Sequence, residues 1–278
     1  MSKVSICDKR VFNEFKGYAS LLFGFIGAIV IFVDIPSEQK IAAGIICILI
    51  LFVGYYWLWR RANNLKEINL TIEESTVIIK TGDIFEQDGL KAIAFNEYFD
   101  TQVDERIIAS TSLNGQFLKE HLSCSVNELN DYINDYHFDS DEIKEINENR
   151  IEGKKQKFEI GTICVYDDYI LTALSKFNKH NEAYLTMPEY LSFLINFWDK
   201  VNRIYAQKSV SVPIFGSGLT RIKGHKIIDE QDLLKIMLWT FRISEMRFKH
   251  PAKLTIIIHE DKIDKINLLE LKTARNGL

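Results

Sequence analysis

A glycine–serine–glycine loop that directly follows an apolar, strand-like run offers the clearest chemistry in this chain. The run contains Val210, Val212, Ile214 and Phe215, and the loop is Gly216-Ser217-Gly218. Glycines at such a turn leave backbone N–H groups free and let an anion approach where a Cβ would block it. The loop therefore predicts a phosphate-binding site, and a plain tight turn is the competing interpretation.

The three residues after this loop add groups that suit an anion. Thr220 supplies a hydroxyl, Arg221 supplies a planar set of N–H donors, and Leu219 continues the backbone between them. For Arg221, pairing with a phosphate and an ordinary surface or capping role are both open interpretations.

Composition and cysteine spacing exclude several classes of function. The chain has 278 residues and a formal net charge of −4, so no overall basic excess indicates a nucleic-acid partner. The four cysteines are far apart and form no metal-ligand spacing with the six histidines. We therefore expect reduced thiols, no disulfide framework and no metal site.

Two apolar runs near the N-terminus predict a membrane hairpin. Residues 17–35 and 41–59 each form a run of about 19 residues, or about 28 Å as a helix, close to the thickness of a bilayer's hydrocarbon core. The short link Pro36-Ser37-Glu38-Gln39-Lys40 places both outer ends on the same side. A signal peptide and a hairpin buried in a soluble core are the competing interpretations, and no small-residue cleavage site follows the first run.

The basic residues predict the orientation of this hairpin. Lysines and arginines precede the first run and follow the second, whereas the link holds only Lys40. The positive-inside tendency then places both termini and everything after residue 60 in the cytoplasm, with the protein in the cell inner membrane. Ser20, Gly24 and Ala28 form a stripe of small residues that allows close contact, either within the hairpin or between protomers, and a chance occurrence in a span rich in glycine and alanine is the alternative.

The rest of the chain alternates strand-like and helix-like segments, which is typical of a layered α/β domain. Predicted strands cover residues 68–72, 77–80, 90–95, 158–165, 169–174 and 254–258, and predicted helices cover 107–122, 188–205, 229–248 and 263–274. We expect a membrane hairpin over 1–61, a connector over 62–67, and an α/β/α three-layer domain with a mixed sheet over 68–278. Residues 130–156, acidic and then basic, are expected to form a surface insertion.

Two motifs read together resemble a macro domain. In that family a strand is followed by Gly-Asp-Ile, a second strand and an Asn, which matches Gly82-Asp83-Ile84, the strand 92–95 and Asn96. Segment 213–221 resembles the family's second phosphate loop. Both motifs stand in the expected order within one α/β/α domain, and the match covers residues 68–278.

The fuller pattern is similar to the macro-domain effectors of type II Thoeris anti-phage systems, which carry two N-terminal transmembrane helices. The matching stretches are residues 109–117, 169–177 and 251–258, with the hairpin at the expected end. The resemblance implies that a partner enzyme with a TIR domain makes an ADP-ribose-derived signal on infection, which the macro domain binds. The membrane portion then damages the host membrane, and we expect a homo-oligomer because two helices cannot enclose a passage.

The resemblance also implies roles for individual residues. Asp83 accepts a hydrogen bond from the adenine exocyclic amine, and the N–H of Ile84 bonds a ring nitrogen. Asn96 approaches the distal ribose, residues 216–220 cradle the diphosphate with backbone N–H groups, and Ser112, in the Ser/Thr-rich segment 109–115, faces the phosphates. A plain Gly-Asp turn and an Asn that satisfies strand-end backbone groups are the alternatives.

One departure from the hydrolytic macro domains concerns the segment after Asn96. Those proteins have a Gly-Gly-Gly-Val loop there, whereas this chain has Glu97-Tyr98-Phe99-Asp100-Thr101-Gln102-Val103-Asp104. The changed distal pocket implies a ligand larger than ADP-ribose, which in this family is histidine linked to ADP-ribose. Asp100, Asp104 and Glu105 either face that added group or are solvated loop charges.

The favoured prediction is a receptor and effector that is not an enzyme. Its ligand is an ADP-ribose derivative, and no other cofactor is expected. His259-Glu260-Asp261 invites an acid–base interpretation, but no nucleophile or metal completes it, so no catalytic residue is assigned. A membrane-tethered ADP-ribosyl hydrolase and a ligand-free interaction module are the rival functions.

Overall fold

The computed structural model describes residues 3–33, 36–178, 180–218, 220–223 and 228–274, without the side chains of Ser37, Arg221 and Lys223. It opens with two long helices, α1 (Lys9–Phe32) and α2 (Ser37–Asn63), both long and apolar enough to cross a membrane. Hardly any of either span is buried inside the protein, so the hairpin is not the core of a soluble fold.

The two helices differ in extent from the predicted runs. Helix α1 begins and ends earlier than 17–35, because the Asp8 side chain accepts the N–H of Arg10 and caps a start at Lys9. Helix α2 continues through Asn63 into the expected connector. The stripe formed by Ser20, Gly24 and Ala28 is exposed, and a Cβ added at Gly24 meets nothing within 4 Å. The stripe therefore faces away from α2.

The base of the hairpin is fixed by the N-terminal segment. Trp59 Nε1 donates to the carbonyl oxygen of Val4 at 2.9 Å, and the N–H of Val4 donates to Asn63 Oδ1 at 3.0 Å. Val4 and Leu58 share a buried apolar cluster with Leu269 of the C-terminal helix α7 (Leu268–Thr273). The N-terminal segment and the C-terminal end of α2 are thus packed against the α/β domain.

A mixed sheet forms the centre of that domain. Its strands along the described chain are β1 (Glu67–Ile72), β2 (Ser75–Thr81), β3 (Leu90–Asn96), β6 (Ile163–Tyr166), β7 (Tyr169–Phe177), β8 (Ala183–Thr186), β9 (Val210–Pro213), β10 (Arg221–Lys223) and β11 (Leu254–Ile258). The order is β1-β2-β11-β9-β3-β7-β8-β10, with β6 antiparallel to β7. A separate ribbon pairs β4 (Ile143–Ile146) with β5 (Gln156–Phe158).

The central strands β2, β11, β9 and β3 are parallel to one another. Their carboxyl ends therefore meet at the same edge of the sheet, which is where open α/β sheets bind ligands. All five residues of β11 are buried, as expected for a strand covered on both faces.

Helices cover both faces of the sheet. Helices α5 (Met187–Ile204) and α6 (Glu230–Ile243) pack on one face around Trp198, Phe241 and Met237. The other face is covered by α3 (Leu113–Gln116), a π-helical turn (Phe117–His121) and α4 (Val126–Asp135), with Phe117 and Leu129 buried. This confirms the predicted α/β/α architecture.

Several predicted elements are shorter than expected. Only residues from Leu113 onward are helical in segment 107–122, because the Asp104 carboxylate accepts the N–H groups of Arg106 and Ile107 and holds a turn there. Helix α6 ends at Ile243 instead of 248, and segment 263–274 is divided between a 3₁₀ turn (Glu260–Lys265) and α7.

The segment expected to be a surface insertion is only partly on the surface. The β4 residues are exposed, but Ile133 and Phe138 belong to the core, and Arg150 is buried. Ile133 and Phe138 thus add to the core on the second face of the sheet.

Candidate functional site

A cavity of about 810 Å³ lies at the carboxyl edge of the parallel strands. Gly82 and Asp83 follow β2, Ile214 follows β9, and His259 follows β11, and all four line the cavity. Its size is within the range usual for small-molecule sites. The topology thus brings the two motifs predicted from the sequence to the same cavity.

Asp83 lies at the cavity with one carboxylate oxygen engaged in a turn. Its Oδ1 accepts the N–H of Phe85 at 2.8 Å, and Gln87 Nε2 donates to its carbonyl oxygen at 2.6 Å. Oδ2 accepts no hydrogen bond from the described residues. Asp83 is exposed while the neighbouring Ile84 is buried. The turn therefore fixes the carboxylate and leaves one acceptor oxygen for a ligand.

The glycine loop also lines the cavity. The N–H of Ser217 donates to the carbonyl oxygen of Ile214 at 3.2 Å, and Gly216 adopts φ +81°, a conformation that favours glycine. Beneath the loop, the buried Tyr190 hydroxyl donates to the carbonyl oxygen of Phe215 at 2.7 Å. Burial raises the pKa of Tyr190, which keeps this donor protonated. Ser217 and Gly218 line the cavity.

Ser112 and its neighbours contribute a third side of the cavity. Thr111, Ser112 and Gln116 line it. The Ser112 hydroxyl accepts the N–H of Gly115 at 3.2 Å and donates to the carbonyl oxygen of Ala109 at 2.5 Å. The hydroxyl is therefore the N-cap of α3, and what it offers a ligand is the position of the loop rather than a free donor.

Asn96 does not line the cavity. Its Oδ1 accepts the N–H groups of Tyr98 and Asp100, and its Nδ2 donates to Asp100 Oδ2 at 2.9 Å. The side chain is only 3% exposed. Asn96 thus satisfies backbone at the end of β3, which was the alternative interpretation, and the expected approach to a ribose is not seen.

The three acidic residues after Asn96 also have other partners. Asp100 is buried and binds Arg150 through both carboxylate oxygens. Asp104 accepts backbone N–H groups, chiefly that of Ile107, and these hydrogen bonds lower the pKa of its carboxyl group. Glu105 accepts the N–H of Ser110 at 3.0 Å. These carboxylates hold the loop in place and do not line the cavity.

The remaining predicted residues are Gly216, Leu219, Thr220 and Arg221. Gly216 shapes the turn but does not line the cavity, and Thr220 is half-buried outside the lining. Leu219 and the side chain of Arg221 lie outside the described residues, so their expected roles stay predictions.

Lys262 lines the cavity and was not predicted from the sequence. Its ammonium group donates to the carbonyl oxygen of Ser217 at 2.7 Å and to Glu230 Oε1 at 2.8 Å. Lys265 donates to the same oxygen at 3.1 Å. Partial burial favours the neutral acid, but the hydrogen bonds from these two lysines hold the pKa of Glu230 below its usual value. The only sequence signal was a lysine soon after the last strand.

His259 has a structural role at the edge of the cavity. Its Nδ1 accepts the N–H of Asp261 at 3.4 Å and caps the 3₁₀ turn, and the side chain is well exposed. Among the described residues, no cluster of ligating side chains could hold a metal ion near it. The same His259 Nδ1 lies 3.5 Å from Asp261 Oδ2, and both side chains are well exposed.

Comparison with known proteins relates the chain to one family. The sequence model for the macro domain of the Thoeris protein ThsA matches residues 77–259. The Thoeris protein ThsA of Bacillus amyloliquefaciens (strain Y2) is 38% identical over 256 residues, which cover 89% of this chain and 84% of that protein.

Solved structures of a macrodomain from Oceanobacillus iheyensis also align with the chain. The one with ADP is 16% identical, covers 74% of this chain and 95% of that one, and has a TM-score of 0.42. The one with MES bound is 16% identical, covers 74% and 96% of the two chains, and has the same TM-score of 0.42. The family assignment rests on the two sequence matches.

Proposed function

The chain belongs to the Thoeris ThsA family, with its macro domain, and we propose that it is a membrane-anchored receptor and effector of anti-phage defence. In this proposal the cavity at the carboxyl edge of the sheet binds an ADP-ribose-derived nucleotide. Binding then switches the N-terminal hairpins into an assembly that disrupts the host membrane.

The observation that carries the proposal is the arrangement of Asp83 and the glycine loop around one cavity. The free Oδ2 of Asp83 supplies an acceptor for the adenine amine, and Ile84 supplies an adjacent backbone N–H. The glycine loop lines the same cavity, and although the N–H of Ser217 is engaged with Ile214, Gly218 leaves its backbone open to a diphosphate, since a Cβ added there meets nothing within 4 Å. The two motifs proposed to contact adenine and diphosphate thus line one cavity.

The proposed ligand of the cavity is larger than ADP-ribose itself. We expect histidine linked to ADP-ribose, made on infection by a partner enzyme with a TIR domain. Support comes from family membership and from the open side of the cavity, where the glycine loop is exposed at Gly218. The group attached to the distal ribose then extends from the cavity instead of pointing toward Asn96, which is buried in its own hydrogen bonds.

The membrane portion is proposed to lie in the cell inner membrane with both termini and the macro domain in the cytoplasm. Helices α1 and α2 have the length and apolar surface for this role, and Arg60 and Arg61 lie in the last turn of α2. The outward stripe of Ser20, Gly24 and Ala28 offers a face for contact between protomers. A homo-oligomer is therefore expected on activation.

Receptor function is favoured over ADP-ribosyl hydrolysis by the segment after β3. Tyr98 and Phe99 belong to this segment and are only 3% and 0% exposed, so two of its bulky side chains pack into the core. Hydrolytic macro domains use a glycine-rich loop at this place to bring backbone close to the distal ribose. We therefore expect binding without turnover.

Calorimetry on full-length protein in lipid nanodiscs tests the proposal. ADP-ribose, histidine-linked ADP-ribose and adenosine are titrated, and bound nucleotide is recovered and analysed by mass spectrometry. We expect both ADP-ribose compounds to bind and to be recovered intact. Conversion of the nucleotide would identify a hydrolase, and no heat with any of the three would leave an interaction module with an empty cavity.

A further inference from the structure

Lys262 connects three separate parts of the chain at the cavity. It lies in the 3₁₀ turn after β11, donates to the Ser217 carbonyl of the glycine loop, and donates to Glu230 at the start of α6. Its side chain is 30% exposed, whereas Glu230 is 11% exposed. The ammonium group is thus held by a shielded carboxylate, and Lys262 lines the cavity.

The charge of the cavity makes this lysine unusual. Among the described lining residues, the acidic side chains are Asp83, Glu86, Glu260 and Asp261, and Lys262 is the one lysine or arginine. A diphosphate is anionic, and bringing it toward four carboxylates without a compensating cation is unfavourable at the short distances of a binding site. A fixed positive charge next to the loop offsets this repulsion.

Within the described chain, one N–H donor of the Lys262 ammonium group remains for a ligand. A lysine ammonium group has three N–H donors, and within the described chain the partners of Lys262 are Ser217 and Glu230. Occupation of two donors orients the third and reduces the side-chain entropy lost when an anion binds. The contact to a loop carbonyl places the charge beside the backbone N–H groups expected to hold the diphosphate.

We propose that Lys262 is the phosphate-binding cation of this cavity and at the same time positions the glycine loop. This inference rests on the function proposed above, because it assigns a residue to that same ligand. Glu230 positions Lys262 without touching the ligand. Lys265 shares the Glu230 carboxylate but does not line the cavity, so it serves as the matched control.

Calorimetry with ADP-ribose tests the proposal on full-length protein in lipid nanodiscs. Loss of a charge-assisted contact predicts that Lys262→Met weakens binding by about tenfold to a hundredfold. Lys262→Arg should restore most of the affinity, and Lys265→Met should stay within about threefold of wild type. Lys262→Gln keeps a neutral donor for Ser217 and separates loop positioning from charge.

Ionic strength distinguishes a charge contact from a structural effect. Wild-type affinity for ADP-ribose should fall as salt is raised, and the slope should be smaller in both Lys262→Met and Lys262→Gln. Equal slopes, or equal affinities of wild type and Lys262→Met, would overturn the role of Lys262 while leaving nucleotide binding in place. No binding of ADP-ribose by wild type would instead remove the proposed function itself.

Thermal unfolding accompanies each titration. If Lys262→Met is destabilised and Lys262→Gln melts like wild type, only the titrations of Lys262→Gln test the proposal. Full affinity and an unchanged salt slope in Lys262→Gln would then count against the proposal.

Discussion

Both terminal nitrogens of Arg150 donate to the Asp100 carboxylate, at 3.1 and 2.6 Å, inside the protein. The guanidinium also stacks on the Tyr98 ring, 3.8 Å from its centroid. The N–H of Lys154 and Asn96 Nδ2 also donate to Asp100, at 2.8 and 2.9 Å. The pair of Arg150 and Asp100 joins segment 139–155 to the loop after β3.

Removing Arg150 should strongly destabilise the domain. The side chains of Arg150 and Asp100 are 7% and 1% exposed, so Arg150→Met leaves a buried carboxylate without its guanidinium partner. The expected loss in free energy of unfolding is about 3–5 kcal/mol. The control is Arg106→Met, which breaks the exposed pair with Glu152 and should cost below about 1 kcal/mol. Urea unfolding followed by tryptophan fluorescence measures both, and similar losses would contradict the structural role of the buried pair.

The sequence predicted the cavity because its motifs depend on local order. Gly82-Asp83 and Gly216-Ser217-Gly218 each follow a strand, and parallel strands place their carboxyl ends together without any further information. The architecture followed for the same reason, from alternating strands and helices.

The misplaced residues depend on contacts between distant parts of the chain. Asn96 donates to Asp100, and Asp100 is oriented by Arg150. Arg150 comes from a charged segment with few apolar residues, so nothing in the sequence indicated that Asn96 would have these partners instead of a ligand. Lys262 was missed because its partners, Ser217 and Glu230, lie 45 and 32 residues earlier. The helix expected from residue 107 failed because the Asp104 side chain competes for the backbone N–H groups of its first turn.

Asp83→Ala should weaken binding of ADP-ribose without unfolding the domain. The change removes the free Oδ2 acceptor, and a hydrogen bond of this kind is worth about tenfold to a hundredfold in affinity. Asp83→Asn is the matched control, since its amide oxygen still accepts the N–H of Phe85 and holds the turn. We expect calorimetry to show Asp83→Asn weakened about as much as Asp83→Ala, because its remaining amide position is an N–H donor that cannot accept the adenine amine. Wild-type affinity in Asp83→Ala would place the adenine elsewhere.

The two glycines of the loop should respond differently to substitution. Gly218→Val adds a side chain where a Cβ meets nothing within 4 Å, so the fold should be unaffected while the cavity is obstructed. Gly216→Val forces a β-branched residue into φ +81° and should also lower the melting temperature. Thermal unfolding and nucleotide titration of both variants provide the comparison. Unimpaired binding in Gly218→Val would show that the diphosphate does not lie against this loop.

The pH dependence of stability should carry a contribution from Glu189. It accepts hydrogen bonds from Lys176 at 2.5 Å and from the backbone N–H of Thr186 at 2.7 Å, and its own N–H donates to the Thr186 hydroxyl, which completes the capping box of α5. Partial burial opposes ionisation, but these hydrogen bonds, led by that of Lys176, lower the pKa of Glu189 to about 2. The folded-state value is below that of an unfolded glutamate, about 4.3. The stabilisation is therefore complete above about pH 5 and disappears as the pH falls toward 2.

Glu189→Gln tests this contribution directly. Near neutral pH the variant should lose about 1–2 kcal/mol in free energy of unfolding, less than the full pKa shift implies because the pair is about 30% exposed. The difference from wild type should shrink steadily below pH 5. Glu67→Gln, an exposed carboxylate on β1, serves as the control. A difference that is constant from pH 7 to pH 3 would rule out the linkage.

Gly24→Leu should separate nucleotide binding from membrane damage. The stripe of Ser20, Gly24 and Ala28 faces away from α2, so a larger side chain at Gly24 leaves the hairpin intact but keeps neighbouring hairpins apart. Two helices cannot enclose a water-filled passage, and killing by permeabilisation therefore requires several hairpins side by side. Gly44→Leu adds the same volume to an exposed position of α2 and is the matched control.

The measurement is propidium uptake by cells that carry the partner TIR enzyme and are infected with phage. A signal shifts assembly only if it binds the assembled state more tightly, and a preference of roughly 5.5 kcal/mol moves the equilibrium from almost all off to almost all on. We expect Gly24→Leu to block dye entry with ADP-ribose binding intact, and Asp83→Ala to lose both. Dye entry at wild-type rates in Gly24→Leu would exclude this face as the contact between protomers. Protection by a fragment that lacks residues 1–61 would exclude the membrane mechanism altogether.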